Sequence, residues 1–148
     1  MSEREPSLSD EQQQASGGEI QRLFFELFRR VHYNELDGEC VVNDLLEWRD
    51  LWHSVLPARF PYSFRDRNEK EYHPWTELSM LRCVRWDSWP ADALYIWTSV
   101  EILPELWRRV EERWKADELV VISPERDEEM HLANIDNEDD RVLYVWWD

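Results

Sequence analysis

The chain has 148 residues, with 17 Lys plus Arg against 33 Asp plus Glu and a formal charge of −16 at pH 7. Hydrophobic residues make up 43% and aromatics 14%, enough apolar side chain to offset the entropy of ordering one domain, which excludes wholesale disorder. The acidity argues against nucleic-acid binding, since a phosphate groove needs a cationic footprint. Ten residues are Trp, where average usage supplies about two, and these rings must fill a core or serve a surface.

Residues 1–18 are polar and end in Ala15-Ser16-Gly17-Gly18, which reads as a disordered tail. They hold no apolar run suited to a signal peptide or a membrane span, so a cytoplasmic protein with no membrane partner is expected. A single domain is then expected over residues 19–148. Ile20, Leu23, Phe24, Leu27, Phe28 and Val31 follow the i, i+3, i+4, i+7 spacing of a core-facing helix. Asp37-Gly38 breaks the chain, and Asn43 or Asp44 is positioned to cap a second helix carrying Leu45, Trp48, Trp52, Val55 and Leu56, which Pro57 stops.

Pro57 to Pro74 mixes aromatics (Phe60, Tyr62, Phe64, Tyr72) with charge and reads as a long loop. Leu78–Trp86 and Ala93–Thr98 are strand-like runs separated by Asp87-Ser88-Trp89-Pro90, the pattern of a hairpin. Pro104 suits the first turn of a third helix with Leu103, Trp107, Val110 and Trp114 on its apolar stripe. Leu119–Ser123, Met130–Ile135 and Val142–Trp147 read as strands, with an acidic turn at Asp136–Asp140. About three helices with most strands late in the chain predict an α+β fold, in which a mostly antiparallel sheet of four to five strands is covered by helices on one face.

The charge is uneven. Residues 57–86 carry a small basic excess, whereas the last 32 residues hold 11 acids against 2 bases, concentrated around Glu125, Asp127, Glu128 and Glu129 and around Asp139 and Asp140. If those connections flank neighbouring strands, they form one acidic rim suited to a basic protein partner, with association accelerated by steering and weakened by salt. Acidity that serves only solubility is the alternative explanation. Trp48, Trp52, Trp107 and Trp114 sit on helical stripes and are expected in the core. Trp146 and Trp147 are adjacent on a strand, where successive side chains point to opposite faces, so one of them is expected to face out and anchor a contact.

Signatures of chemistry are lacking. Cys40 and Cys83 are far apart with no metal-ligand spacing and read as two buried thiols. The three glycines, Gly17, Gly18 and Gly38, build no phosphate loop. Glu129 and His131, two apart on a predicted strand, are the nearest approach to an acid/base or metal pair. No cofactor, metal or catalytic residue is expected.

The stretch from Leu119 to Asp148, with Leu119-Val120-Val121-Ile122, an acidic turn, a run ending in Ile135-Asp136, a second acidic turn and Val142-Leu143-Tyr144-Val145-Trp146-Trp147, resembles the C-terminal β-meander of the SUKH superfamily. Leu56-Pro57-Ala58-Arg59-Phe60 is similar to a Leu-Pro-aromatic fragment near that family's first helices. The resemblance implies an α+β fold and, since many bacterial members are immunity proteins against polymorphic toxins, a toxin-binding role. The family's Gly-rich elements have no counterpart here, and no functional residue transfers. The function expected is therefore a small acidic binding module that neutralises a basic partner such as a toxin or effector by occlusion, through Glu125, Asp127, Glu128, Glu129, Asp139, Asp140, Trp146 and Trp147. The alternative is a non-catalytic adaptor that self-associates as a homodimer through its Trp-rich surface.

Overall fold

A computed structural model describes residues 17–59 and 81–148. In chain order these form α1 (Glu19–Phe28), β1 (His32–Tyr33), β2 (Leu36–Asp37), α2 (Gly38–Glu47), a single 3-10 turn (Arg49–Leu51), β3 (Ser54–Ala58), β4 (Ala93–Ser99), α3 (Leu103–Arg113), β5 (Glu118–Ile122), the short α4 (Glu128–Leu132) and β6 (Asp140–Trp146). β1 and β2 make a two-stranded ribbon, and the other four strands form an antiparallel sheet in the order β3-β4-β6-β5. The fold is α+β, as the late strands and amphipathic helices predict. The predicted tail up to Ser16 and most of the predicted loop, with Phe60, Tyr62, Phe64, Tyr72 and Trp75, lie outside the described residues.

Period-2 alternation decides how the sheet is clad. Leu94 pairs with Val145 and Ile96 with Leu143, and these four point to one face. There they join Val55, Leu106, Val110, Trp114 and Trp147 in the larger core, beneath α1, α2 and α3. Ala93, Val142 and Tyr144 point to the opposite face and pack with Ile122 and Met130 in a second, smaller core. The sheet is therefore covered on both sides, a correction to the expected single helical layer. The added cover comes from the segment between β5 and β6, where Met130–Ile135, expected as a strand, instead contributes to α4. The helix wins there because Asp127 supplies a cap, its side chain accepting from the Glu129 N–H at 2.9 Å, and acids in the first turn suit the helix dipole.

α1 forms where its periodicity predicts, but its buried face is rotated. Gln21, Phe25 and Phe28 turn inward, while Ile20, Leu23 and Leu27 are 69%, 44% and 45% exposed. Gln21 selects that face. Its amide donates to the Val55 carbonyl at 2.8 Å and accepts from the Val55 N–H at 2.7 Å, so α1 lies against the outer edge of β3. Gly38 then lets α2 start hard against the end of α1. A Cβ at Gly38 would stand 1.9 Å from the Phe28 carbonyl oxygen, a contact only glycine avoids.

Four further expectations are corrected. α2 is capped by Asp37, whose carboxylate accepts from the N–H groups of Glu39 and Cys40, and not by Asn43 or Asp44. The chain leaves the helix after Glu47, so Val55 and Leu56 belong to β3, where Pro57 is tolerated because β3 is an edge strand. Residues 81–85 are helical, so the expected hairpin with Ala93–Thr98 does not form, and β4 pairs instead with β3 and β6. Cys40 and Cys83 are half-buried free thiols, not fully enclosed ones.

Asp44 is buried inside the helical layer. It takes two hydrogen bonds from Arg113, at 2.8 and 2.9 Å, and one from the Trp114 indole at 2.9 Å. Trp114 stacks on Trp48 with centroids 5.5 Å apart and reaches Trp147 at 6.1 Å, while the Trp147 indole donates to the Trp114 carbonyl. Trp52 donates to the Leu45 carbonyl and meets Phe25 edge-on. Trp48, Trp52 and Trp114 are core residues as expected, and Trp107 packs against that core only partly buried.

Candidate protein-binding face

The second face of the sheet is aromatic. Its register sets Leu56, Tyr95 and Tyr144 side by side across three strands, with the Tyr95 and Tyr144 rings 5.0 Å apart. Toward one end Trp97 donates its indole N–H to Asp140 at 3.1 Å and receives His53 edge-on at 5.6 Å. At the other end Trp146 is half-buried, with its indole 3.4 Å from an Asp92 carboxylate oxygen. Leu56 remains 49% exposed. The alternation Ala93-Tyr95-Trp97 against Leu94-Ile96-Thr98 is the sequence signal for this face, but counting runs of apolar residues treats both sets alike. Tyr95, Trp97 and Asp92 escape a reading based on charge clusters alone.

α4 lies along this face and brings carboxylates to it. Met130 anchors the helix from below, and Glu129 and Asp127 are close enough to act on the Tyr95 hydroxyl. Burial, then the negative charge of Glu129 and Asp127, pushes the Tyr95 phenol up to about 12. An aromatic surface in a negative field attracts a cation, because ring face and carboxylate act on it with the same sign.

The acidic residues divide by burial. Asp127 is buried as the cap of α4, and Asp140 is half-buried, held by Trp97 and by the Asn137 N–H at 3.3 Å. Glu125, Glu128, Glu129 and Asp139 are exposed. β5 ends at Ile122 opposite Val142, and β4 ends at Ser99 opposite Asp140. The turn after β5 and the turn before β6 therefore share one end of the sheet, as a single rim requires. The Trp pair does not share it. Trp146 pairs with Ala93 and Glu118 at the far end of β6, about 20 Å from Asp140 at the usual rise per residue. Trp147 is fully enclosed in the larger core and offers no surface to a partner. Trp146 is covered in part by the second core, so the expected outward ring is only half available.

Glu129 and His131 stand two apart on a helix, not a strand, which puts them on different sides. His131 lies instead 3.7 Å from Asp136, with both side chains more than half exposed. Among the described residues no three His, Cys, Asp or Glu side chains gather as a metal site, and no helix is long and apolar enough to cross a membrane. Burial first, then the nearby Asp44 carboxylate, raises the Cys40 thiol above its ordinary value, which opposes nucleophilic use. No family model, curated protein or solved structure matches the chain.

Proposed function

We propose that the chain is a non-catalytic cytosolic binding protein that occludes a basic protein partner, in the manner of an immunity protein against a toxin or effector. The observation that carries this reading is that α4 packs through Met130 on the aromatic face bearing Tyr95, while exposed Glu125, Glu128 and Asp139 lie in the connections at one end of the same sheet. Arg and Lys side chains of the partner gain carboxylate contacts at the rim and ring-face contacts on the sheet. A fixed acidic field also speeds encounter and rejects polyanions. Occlusion asks for no cofactor and no reacting group. The resemblance of the C-terminal stretch to the SUKH superfamily points to the same class of partner, although α4 replaces one strand of the expected meander.

The test is affinity capture from native cells across a salt series, beside a variant carrying Glu125→Lys, Glu128→Lys and Asp139→Lys. These three side chains are exposed, so the variant is expected to fold with an unchanged thermal midpoint. A basic protein captured at low salt, released at high salt and not retained by the variant is the expected result. Equal capture by the variant and the parent rejects the acidic rim as the binding element.

A further inference from the structure

A second surface, apart from the acidic connections, is the outward stripe of α1. Ile20, Leu23 and Leu27 are 69%, 44% and 45% exposed, and Phe24 beside them is half-buried. At the helical repeat the first three fall within about 60° of one another, with Phe24 next to them on the side toward the core. Glu19, Glu26 and Arg30 line the other flank. We propose that this stripe pairs antiparallel with the same stripe of a second copy of the chain.

Charge argues for a second copy as the occupant. A chain with net charge −16 repels itself over most of its surface, so a self-contact needs a patch where that excess vanishes. The segment from Glu19 to Arg30 is such a patch, with acids Glu19 and Glu26 against bases Arg22, Arg29 and Arg30. The order of those charges is also self-complementary. A two-fold axis passing between Leu23 and Phe24 sets Ile20 against Leu27 of the other copy and Leu23 against Phe24 of the other copy. Such an axis keeps the charged flanks on the same side, as an isologous contact requires. Glu19 then faces Arg30 across the axis, whereas Arg22, about 160° round the helix from Ile20 and 3.8 Å from Glu19 of its own chain, stays out of the contact. Arg29 is already held by Asn43 at 2.8 Å and does not enter the contact. The helix has ten residues and is about 15 Å long, shorter than a standard interface is wide, so the pairing is weak and concentration-dependent.

Sedimentation velocity over a wide concentration series tests it. The parent chain is expected to shift from monomer toward dimer as concentration rises, and Leu23→Glu with Leu27→Glu is expected to stay monomeric. Glu19→Arg alone and Arg30→Glu alone each set like charges across the axis and weaken self-association about tenfold, while an equal mixture of the two variants restores both opposite-charge pairs and recovers it. All four positions are exposed, and unchanged thermal midpoints confirm that each variant folds. A parent chain that stays monomeric throughout, a dimer that survives the double Leu substitution, or a mixture that associates no better than its components overturns the proposal. The acidic-rim variant described above is expected to dimerise like the parent, so the two surfaces fail or succeed independently.

Discussion

Gln21 bonds to Val55 as a neighbouring strand would. Its amide donates to the Val55 carbonyl at 2.8 Å and accepts from the Val55 N–H at 2.7 Å, closing the open edge of β3 with a side chain instead of a strand. Edge groups left bare are a template for unwanted pairing, and here both backbone groups are buried, so losing their partner costs more than the bonds return. Gln21→Leu is expected to lower stability by about 2–4 kcal/mol, read from urea denaturation. Gln21→Glu keeps the shape, but its carboxylate has no hydrogen for the Val55 carbonyl. Its loss is expected to shrink as acid protonates the introduced carboxyl, and a deficit independent of pH speaks against the bidentate pairing.

Asp44 ties α2 to α3, since its buried carboxylate takes both Arg113 hydrogen bonds and the Trp114 indole N–H. Asp44→Ala leaves that buried indole without its acceptor, and a loss of about 2–3 kcal/mol is expected. Arg113 itself is half exposed and rehydrates, which keeps the figure below that of a fully buried pair. Cys40 reports the same carboxylate. Burial first and then Asp44 hold its thiol above the ordinary value. In a Cys83→Ser background, Asp44→Asn is therefore expected to lower the Cys40 pKa and speed its reaction with a thiol reagent near neutral pH. An unchanged rate–pH profile shows that Asp44 does not contribute to the shift.

The elements with strong period signals were legible in the sequence, and the failures have identifiable physical causes. α3 and the strands β4, β5 and β6 fall where apolar spacing sets them, because each has a well-formed stripe or alternation. α1 misled on its face. The expected stripe runs through Ile20, Leu23 and Leu27 and omits Phe25, but Gln21, through a backbone partner 34 positions away, turns Phe25 and Phe28 inward instead. Asp37-Gly38 reads as a break with the cap expected at Asn43 or Asp44, but Asp37 itself caps α2, and Gly38 permits the close approach to Phe28 that starts the helix there. The acidic composition of the connections around 125–129 and 136–140 is readable from charge counting. Their distance from Trp146 is not, because it depends on strand register.

Tyr95 is the internal probe of the aromatic face. Its phenol is pushed up to about 12 by burial, then by Glu129 and Asp127. A raised phenol pKa means that the folded chain holds this proton more tightly than the unfolded chain. The associated stabilisation is complete below the ordinary tyrosine value and is lost as pH rises from about 10 toward 12. Spectrophotometric titration at the tyrosinate band is expected to show a late-ionising Tyr that Tyr95→Phe removes. Glu129→Gln takes away the charge with the larger effect, and Asp127→Asn takes away the other while keeping a competent cap. Both are expected to bring that ionisation earlier without exposing the ring. If neither moves it, the carboxylates do not act on this face and the cation-attracting field loses its source.

The adjacent tryptophans of β6 separate folding from binding. Trp147 is fully buried, reaches the Trp114 ring at 6.1 Å and spends its indole N–H on the Trp114 carbonyl at 2.9 Å. Trp147→Phe keeps an aromatic ring but loses that donor and part of the packed volume, and a loss of about 2–3 kcal/mol is expected. Trp146 faces the second core from the sheet's other side and is half-buried, so Trp146→Ala is expected to remove less stability, about 1–2 kcal/mol, because part of its surface is already hydrated. Its effect belongs on partner capture. A partner spanning both ends of the sheet face loses an aromatic contact about 20 Å from Asp140, and weaker capture that persists at high salt is the expected outcome, since ring contacts are not screened. Capture indifferent to Trp146 confines the partner to the acidic end. A larger stability loss for Trp146 than for Trp147 contradicts the assignment of the two rings to the two cores.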